Sequence, residues 1–219
     1  MEHKILIDKI PDISIVLCTF NRATYLPNCI ESVINQTFTH WELLIVDDGS
    51  HDDTFTVINP YLEKFENIRY LKHKNRKLFF AKNIGIQASF GNYITFIDSD
   101  DTYHHQHLES RWQYLMEHPD VDLIEGGFVS DEEIWVVDYF QPTQTINLRN
   151  CVLGPTFFGK RHVFFQLGGF RQIAYGEDTD FWHRAEHIFK THKIIEPQTY
   201  VYSRADTSIT KSVMAERTP

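Results

Sequence analysis

Asn92-Tyr93-Ile94-Thr95-Phe96-Ile97-Asp98-Ser99-Asp100-Asp101 is the stretch on which the reading of the fold turns. Its first half, rich in β-branched and aromatic side chains, predicts a buried strand. The strand runs straight into the carboxylates Asp98, Asp100 and Asp101. Clustered like charges raise each other's pKa, and burial disfavours the ionised form further. A divalent cation bound by hard oxygen ligands would resolve the conflict. In open α/β sheets, ligands sit outside the carboxyl ends of strands, where these aspartates would lie. The plainer reading is a polar turn closing a strand, since Asp and Ser are ordinary turn formers.

Outward from this stretch, the preceding chain alternates strand and helix. Residues 13–18 predict a short buried strand, and Thr19-Phe20-Asn21-Arg22 a loop. Leu26, Ile30, Val33 and Ile34 recur at helical spacing, with Thr24 as a cap and Pro27 tolerated in the first turn. Residues 41–46 form the second strand, which also ends in acids, Asp47-Asp48-Gly49-Ser50. The next helix, marked by Val57, Ile58, Tyr61, Leu62 and Phe65, contains Pro60 and is expected to kink or start late. Residues 68–71 read as a third strand, and the basic run Lys72-His73-Lys74-Asn75-Arg76-Lys77 as a solvated loop with phosphate contact as its alternative role. Phe80, Ile84 and Ala88 give a third helix, closed by Gly91. This rhythm predicts an α/β fold, a mostly parallel sheet covered by helices. It lacks both the glycine-rich dinucleotide fingerprint and the NTPase phosphate loop.

Beyond the aspartates, Leu108, Trp112, Leu115 and Met116 mark a helix, and residues 121–125 and 134–140 two strands. Residues 141–150 read as a polar loop. Gly168-Gly169-Phe170 breaks the chain before a helix whose first turn carries Glu177, Asp178 and Asp180, as the helix dipole prefers. Residues 200–202 are a last short strand, and 205–219 a loosely ordered tail. His104, His105 and His107 follow the aspartates but are expected at the surface or a helix start rather than on a metal.

The 219 residues fit one domain. A net charge of -9 disfavours nucleic acid, whose backbone needs a basic footprint. Cys18, Cys29 and Cys151 are widely spaced and lack metal-ligand spacing, which suits reduced thiols. No apolar run reaches signal-peptide or membrane-span length, so a cytoplasmic protein is expected, with peripheral attachment at the inner face of the cell membrane left open.

Three ordered pieces resemble the family 2 glycosyltransferases, inverting enzymes of the GT-A fold. The first runs from Ile15-Val16-Leu17-Cys18-Thr19-Phe20-Asn21-Arg22 through Gln36-Thr37-Phe38 to Val46-Asp47-Asp48-Gly49-Ser50. The second joins Asn83-Ile84-Gly85 to Gly91-Asn92-Tyr93-Ile94 and Asp98-Ser99-Asp100-Asp101. The third is Gly168-Gly169-Phe170 with Glu177-Asp178. The resemblance implies a mostly parallel Rossmann-like sheet with a smaller mixed sheet on the acceptor side. It implies a nucleotide-sugar half over 13–101 and an acceptor half over 102–204. Cys18, Thr19, Phe20, Asn21, Asp47 and Asp48 would hold the nucleoside, with Asp48 accepting the uracil imide N–H. Asp98 and Ser99 would reach the ribose, and Asp98 and Asp100 would hold Mg²⁺ or Mn²⁺. Lys82 would meet phosphate, and Asp178 would be the general base with Glu177 its nearest rival. The donor implied is a nucleotide-sugar, by default a UDP-sugar, and the acceptor a saccharide or lipid-linked glycan. Ala205 stands where relatives often carry a histidine ahead of a segment like Ser208-Ile209-Thr210. A non-catalytic nucleotide-sugar-binding scaffold and a sugar nucleotidyltransferase are the alternatives.

Overall fold

A computed structural model of the chain describes residues 10–203. Strands β1 (Ile13–Thr19), β2 (Trp41–Asp47), β3 (Ile68–Lys72) and β4 (Tyr93–Asp98) pair in parallel in the order β3-β2-β1-β4. All residues of β1 and β2 are buried. Along β1, Ile13, Ile15 and Leu17 belong to one apolar cluster while Val16 and Cys18 belong to another. The sheet is thus covered on both faces, which explains its unbroken apolar strands.

Beyond β4 the sheet continues through β10 (Phe158–Lys160), β6 (Leu123–Gly126) and β11 (Thr191–Ile194), and β10 alone runs against its neighbours. A smaller sheet pairs β5 (Thr102–Tyr103), β12 (Tyr200–Val201) and β7 (Phe128–Val129), and β8 (Trp135–Val137) makes a hairpin with β9 (Thr145–Asn147). The helices are α1 (Leu26–Ile34), α2 (Thr54–Lys64), α3 (Leu78–Ala88), α4 (His107–Glu117), α5 (Arg161–Gln166) and α6 (Glu177–Glu186).

Several local expectations are corrected. Tyr25, not Thr24, occupies the N-cap of α1, with no side-chain cap bond. Helix α2 starts six residues before Pro60, because Asp52 Oδ1 accepts both the Thr54 hydroxyl at 2.6 Å and its N–H at 3.2 Å. Pro60 removes one internal hydrogen bond without ending the helix. The strand expected over 134–140 stops at Val137, since Asp138 Oδ1 accepts the N–H groups of Phe140 and Gln141 and turns the chain back. Part of the expected 141–150 loop is therefore β9. The polar strand β11 and the short helix α5 carry too little periodicity to be foreseen.

Helix α3 lies unusually close to the sheet. A Cβ at Gly85 would fall 2.2 Å from Val16 Cγ1. This approach brings the next turn of α3, with Lys82 and Asn83, to the carboxyl ends of the strands. Gly85→Ala overpacks the contact and is expected to cost about 1–3 kcal/mol. A thermal melt would register it at about 2–4 °C per kcal/mol.

Candidate active site

The carboxyl ends of β1, β2 and β4 meet at one edge, where Cys18 pairs in register with Asp98 and Thr19 with Asp47. The turn after β4 sorts its side chains. Asp98 and Asp100 stay partly exposed, whereas Ser99 and Asp101 are buried. Asp101 accepts the Tyr200 hydroxyl at 2.5 Å and the Ser203 N–H at 2.6 Å. Those two bonds oppose, but do not cancel, the burial and the Asp98 charge that raise the Asp101 carboxyl well above its ordinary value. Asp100 Oδ2 lies 3.6 Å from the Arg22 guanidinium. Burial raises the Asp98 carboxyl to about 6; Lys82 opposes the rise, while Asp100, Glu177 and Asp178 add to it.

From later in the chain, α6 brings its first turn to the same place. Gly176 takes φ 80° at the N-cap, a conformation that suits glycine. Asp178 accepts the Gly154 N–H at 3.1 Å through Oδ2 and the Thr179 N–H at 2.8 Å through Oδ1. Burial and the neighbouring Glu177 charge raise Asp178 to about 6 against the pull of Lys82. Burial pushes Glu177 upward as well, but the charge and hydrogen bond of Lys82 hold it below its ordinary value.

Lys82 is the hub. Its ammonium is buried, 2.9 Å from Glu177 Oε1 and 4.8 Å from the centre of the Phe170 ring. It is not a solvated helix lysine; Glu177 holds it. One cation therefore sits among Asp98, Glu177 and Asp178, across the join between the two halves.

A latch fixes that join. Asn83 donates through Nδ2 to the Phe170 carbonyl and accepts the Phe170 N–H through Oδ1, both at 2.8 Å. Gly169 lies against Asn83 at φ 72°, where a Cβ would come within 2.2 Å of Asn83 Oδ1. On the other side, Arg184 of α6 donates to the carbonyls of Leu167 and Gly169. The Asn and the Gly-Gly-Phe segment read from the sequence are thus two parts of one device.

On the nucleoside side the residues divide. Asp47 is fully buried, accepting the Tyr70 hydroxyl at 2.6 Å and the Ser50 N–H at 2.7 Å, and serves as an internal anchor. Asp48 accepts the N–H groups of Arg76 at 2.6 Å and Lys77 at 2.9 Å, one on each oxygen. It thereby pins the basic loop to the strand end; the His73 ring nitrogen lies 3.4 Å from its Oδ1. Asn21 ties two loops together, donating its N–H to Ser50 Oγ and accepting the His51 N–H. Phe20 is 42% exposed at the lip. The Thr19 hydroxyl is buried and has no hydrogen-bond partner among the described residues. The Cys18 thiol is buried, which pushes its pKa up.

Sequence reasoning did not single out Tyr200, Gly154 or the role of Gln36. Buried Gln36 donates to the carbonyls of Ser32 and His104 and accepts the Leu108 N–H at the start of α4. His104 and His105 are exposed and His107 opens α4, as expected; His107 is also fully buried, stacked on Tyr103 and bonded to Thr199 Oγ1 at 2.9 Å. Ala205 and Ser208-Ile209-Thr210 lie outside the described residues. A depression of about 340 Å³ lined by Pro11, Trp41 and Asn67 lies at the opposite edge of the sheet and contains none of the site residues.

Among the described residues no three His, Cys, Asp or Glu side chains form a ready metal cage. The chemistry of the donors still fits Mg²⁺ or Mn²⁺. Such an ion is commonly held by one or two carboxylates together with substrate phosphates, and Asp98 and Asp100 are two partly exposed carboxylates at a strand end.

Residues 14–167 match the profile of Glycosyl transferase family 2, and the chain belongs to that family. The glycosyltransferase GlyA of Streptococcus pneumoniae is 29% identical over 148 residues, covering 68% of this chain and 20% of GlyA. The S. aureus TarS 1–349 structure in complex with UDP-GlcNAc superposes with a TM-score of 0.75 at 19% identity, covering 92% of this chain and 60% of that one. Mannosyltransferase PcManGT from Pyrobaculum calidifontis, in complex with GDP-Man and Mn2+, gives 0.73 at 15% identity, covering 97% and 66%. The fold is GT-A. The chain spans less than two thirds of GlyA and of the TarS and PcManGT chains.

Proposed function

We propose that this chain is an inverting glycosyltransferase, moving a sugar from a nucleotide-diphosphate sugar to a saccharide or glycoconjugate acceptor in the synthesis of a polysaccharide or cell-surface glycan. The observation that carries this reading is the convergence of Asp98, Glu177 and Asp178 from distant parts of the chain around one buried ammonium, with Asp100 beside Asp98. The bond from the acceptor oxygen to the anomeric carbon forms as the bond from that carbon to the diphosphate oxygen breaks. The acceptor proton passes to Asp178. One displacement inverts the centre, so no covalent intermediate with the protein is needed. A base near pH 6 is ionised at neutral pH yet still basic enough to receive the proton. The Gly154 N–H orients its carboxylate.

Asp98 and Asp100 would hold Mg²⁺ or Mn²⁺, and the ion when bound would act as a Lewis acid toward the charge growing on the leaving diphosphate. Arg22 screens Asp100 beforehand. Asp48 and the Thr19 hydroxyl face the nucleoside, Phe20 lies against its base, and Asp98 and Ser99 meet the ribose. UDP is the default nucleotide. The UDP-GlcNAc complex of TarS supports it, and the GDP-Man complex of PcManGT with Mn2+ supports a metal. Glu177 is assigned to Lys82 rather than to the acceptor. No helix among the described residues is long and apolar enough to cross a membrane. We place the chain in the cytoplasm, with a lipid-linked glycan at the membrane face as one acceptor.

Calorimetric titration with UDP and GDP, with and without Mn²⁺, tests the donor site. The expected result is Mn²⁺-dependent binding of one nucleotide, lost in Asp100→Ala. Absence of binding by the wild type under every condition would sink the donor-site reading.

A further inference from the structure

Behind the metal-side turn lies a buried arrangement that the proposed chemistry does not use. Tyr200 of β12 is fully buried, and its hydroxyl stands between two parts of the turn. It donates to Asp101 Oδ2 and accepts the N–H of Asp98 at 3.2 Å. Asp101 Oδ1 takes the N–H of Ser203, just past β12. The Tyr200 ring packs edge-on against Tyr103 at 5.7 Å, and the Tyr103 hydroxyl donates to the Phe96 carbonyl inside β4. Both ends of the turn are thus tied to residues about a hundred positions later in the chain, while Asp98 and Asp100 stay open to the cleft.

We infer that Tyr200 and Asp101 are positioning residues that set the aim of Asp98 and Asp100. The inference rests on the donor-site reading above. A turn closed only by its own backbone would let two neighbouring carboxylates swing apart under mutual repulsion. A hydroxyl bonded at once to the Asp98 N–H and to Asp101 fixes the start and end of that turn relative to each other. Outer partners of this kind commonly govern metal affinity almost as strongly as the ligands do. The Ser203 bond gives β12 a second role: where the last strand goes, the metal-side turn follows.

The test uses the full chain and the variants Tyr200→Phe, Asp101→Asn and, as a control, Thr199→Val. The control loses the bond to His107 Nδ1 in the same buried layer but does not touch the turn. Binding of Mn²⁺ in the presence of UDP is read from the loss of the free-ion paramagnetic resonance signal, and binding of UDP at saturating Mn²⁺ from calorimetry. Tyr200→Phe is expected to weaken Mn²⁺ binding by about ten-fold or more, with UDP binding at saturating Mn²⁺ unchanged. Thr199→Val is expected to lower the melting temperature without changing Mn²⁺ affinity. If Tyr200→Phe does not fold, Asp101→Asn carries the same expectation, since its remaining carbonyl can still accept the Ser203 N–H. Unchanged Mn²⁺ affinity in whichever variant folds, beside a wild type that binds, overturns the inference alone. A wild type that binds neither Mn²⁺ nor UDP overturns the donor-site reading and the inference with it.

Discussion

Asp178→Asn is expected to lower turnover by about a thousand-fold while leaving the affinity for nucleotide and Mn²⁺ unchanged. The one acceptor oxygen of the asparagine can still take the Gly154 N–H, while the bond from the Thr179 N–H is given up. What disappears is the group that takes the acceptor proton. Single-turnover measurement with saturating donor separates the two quantities, and an equal loss of binding and rate would contradict the base assignment. The wild-type rate is expected to rise with pH through about 6, as Asp178 ionises, and that step should vanish in the variant. Stability should move the other way. The ordinary value of this carboxyl is 3.8 and its value in the fold is about 6, so its contribution is full below 3.8 and is lost as pH rises through 6. At neutral pH the ionised Asp178 therefore burdens the fold. Asp178→Asn is expected to melt higher than the wild type at pH 7 by an amount on the order of 1 kcal/mol, a trade of stability for chemistry.

Lys82→Met should have the largest effect on stability. Methionine fills similar space but leaves Glu177 facing Asp98 and Asp178 without the cation that now meets all three. Breaking one side of a buried pair costs about 3–5 kcal/mol, visible as a fall in denaturant midpoint. The pH step of the surviving activity is expected to shift upward, because Lys82 is what holds Asp178 down. If Lys82 served only to bind phosphate, the variant would lose donor affinity and keep both its stability and its pH profile. Glu177→Gln provides the matching arm: it removes the other half of the pair, so a double variant should be less damaged than the two single changes added together.

The strands β1 to β4 were legible in the sequence because strands buried on both faces declare themselves as apolar runs. The acids that end β2 and β4 do the same for the edge where the site lies. The identity of each acid was less legible. Asp47, Asp48, Asp98, Asp100 and Asp101 look alike in the chain, yet Asp47 and Asp101 are internal anchors, Asp48 pins a loop, and Asp98 and Asp100 stay open. What separates them is contact with Tyr70, Arg76 and Tyr200, partners 23, 28 and 99 positions away, which no local pattern encodes. The ion pair of Lys82 was illegible for the same reason, since its partner Glu177 lies 95 positions on. The chain beyond β4 has short, irregular strands, and its hairpin depends on one aspartate-capped turn.

Strand β10 has a consequence for how the molecule comes into being on the ribosome. It inserts between β4 and β6 and runs against both. Until residue 160 has emerged, a nascent chain that has already made β1 to β4 carries an open, apolar sheet edge next to its own carboxylate turn. Such an edge invites pairing with another chain, so the interval between synthesis of β4 and of β10 is when this protein is most exposed to aggregation.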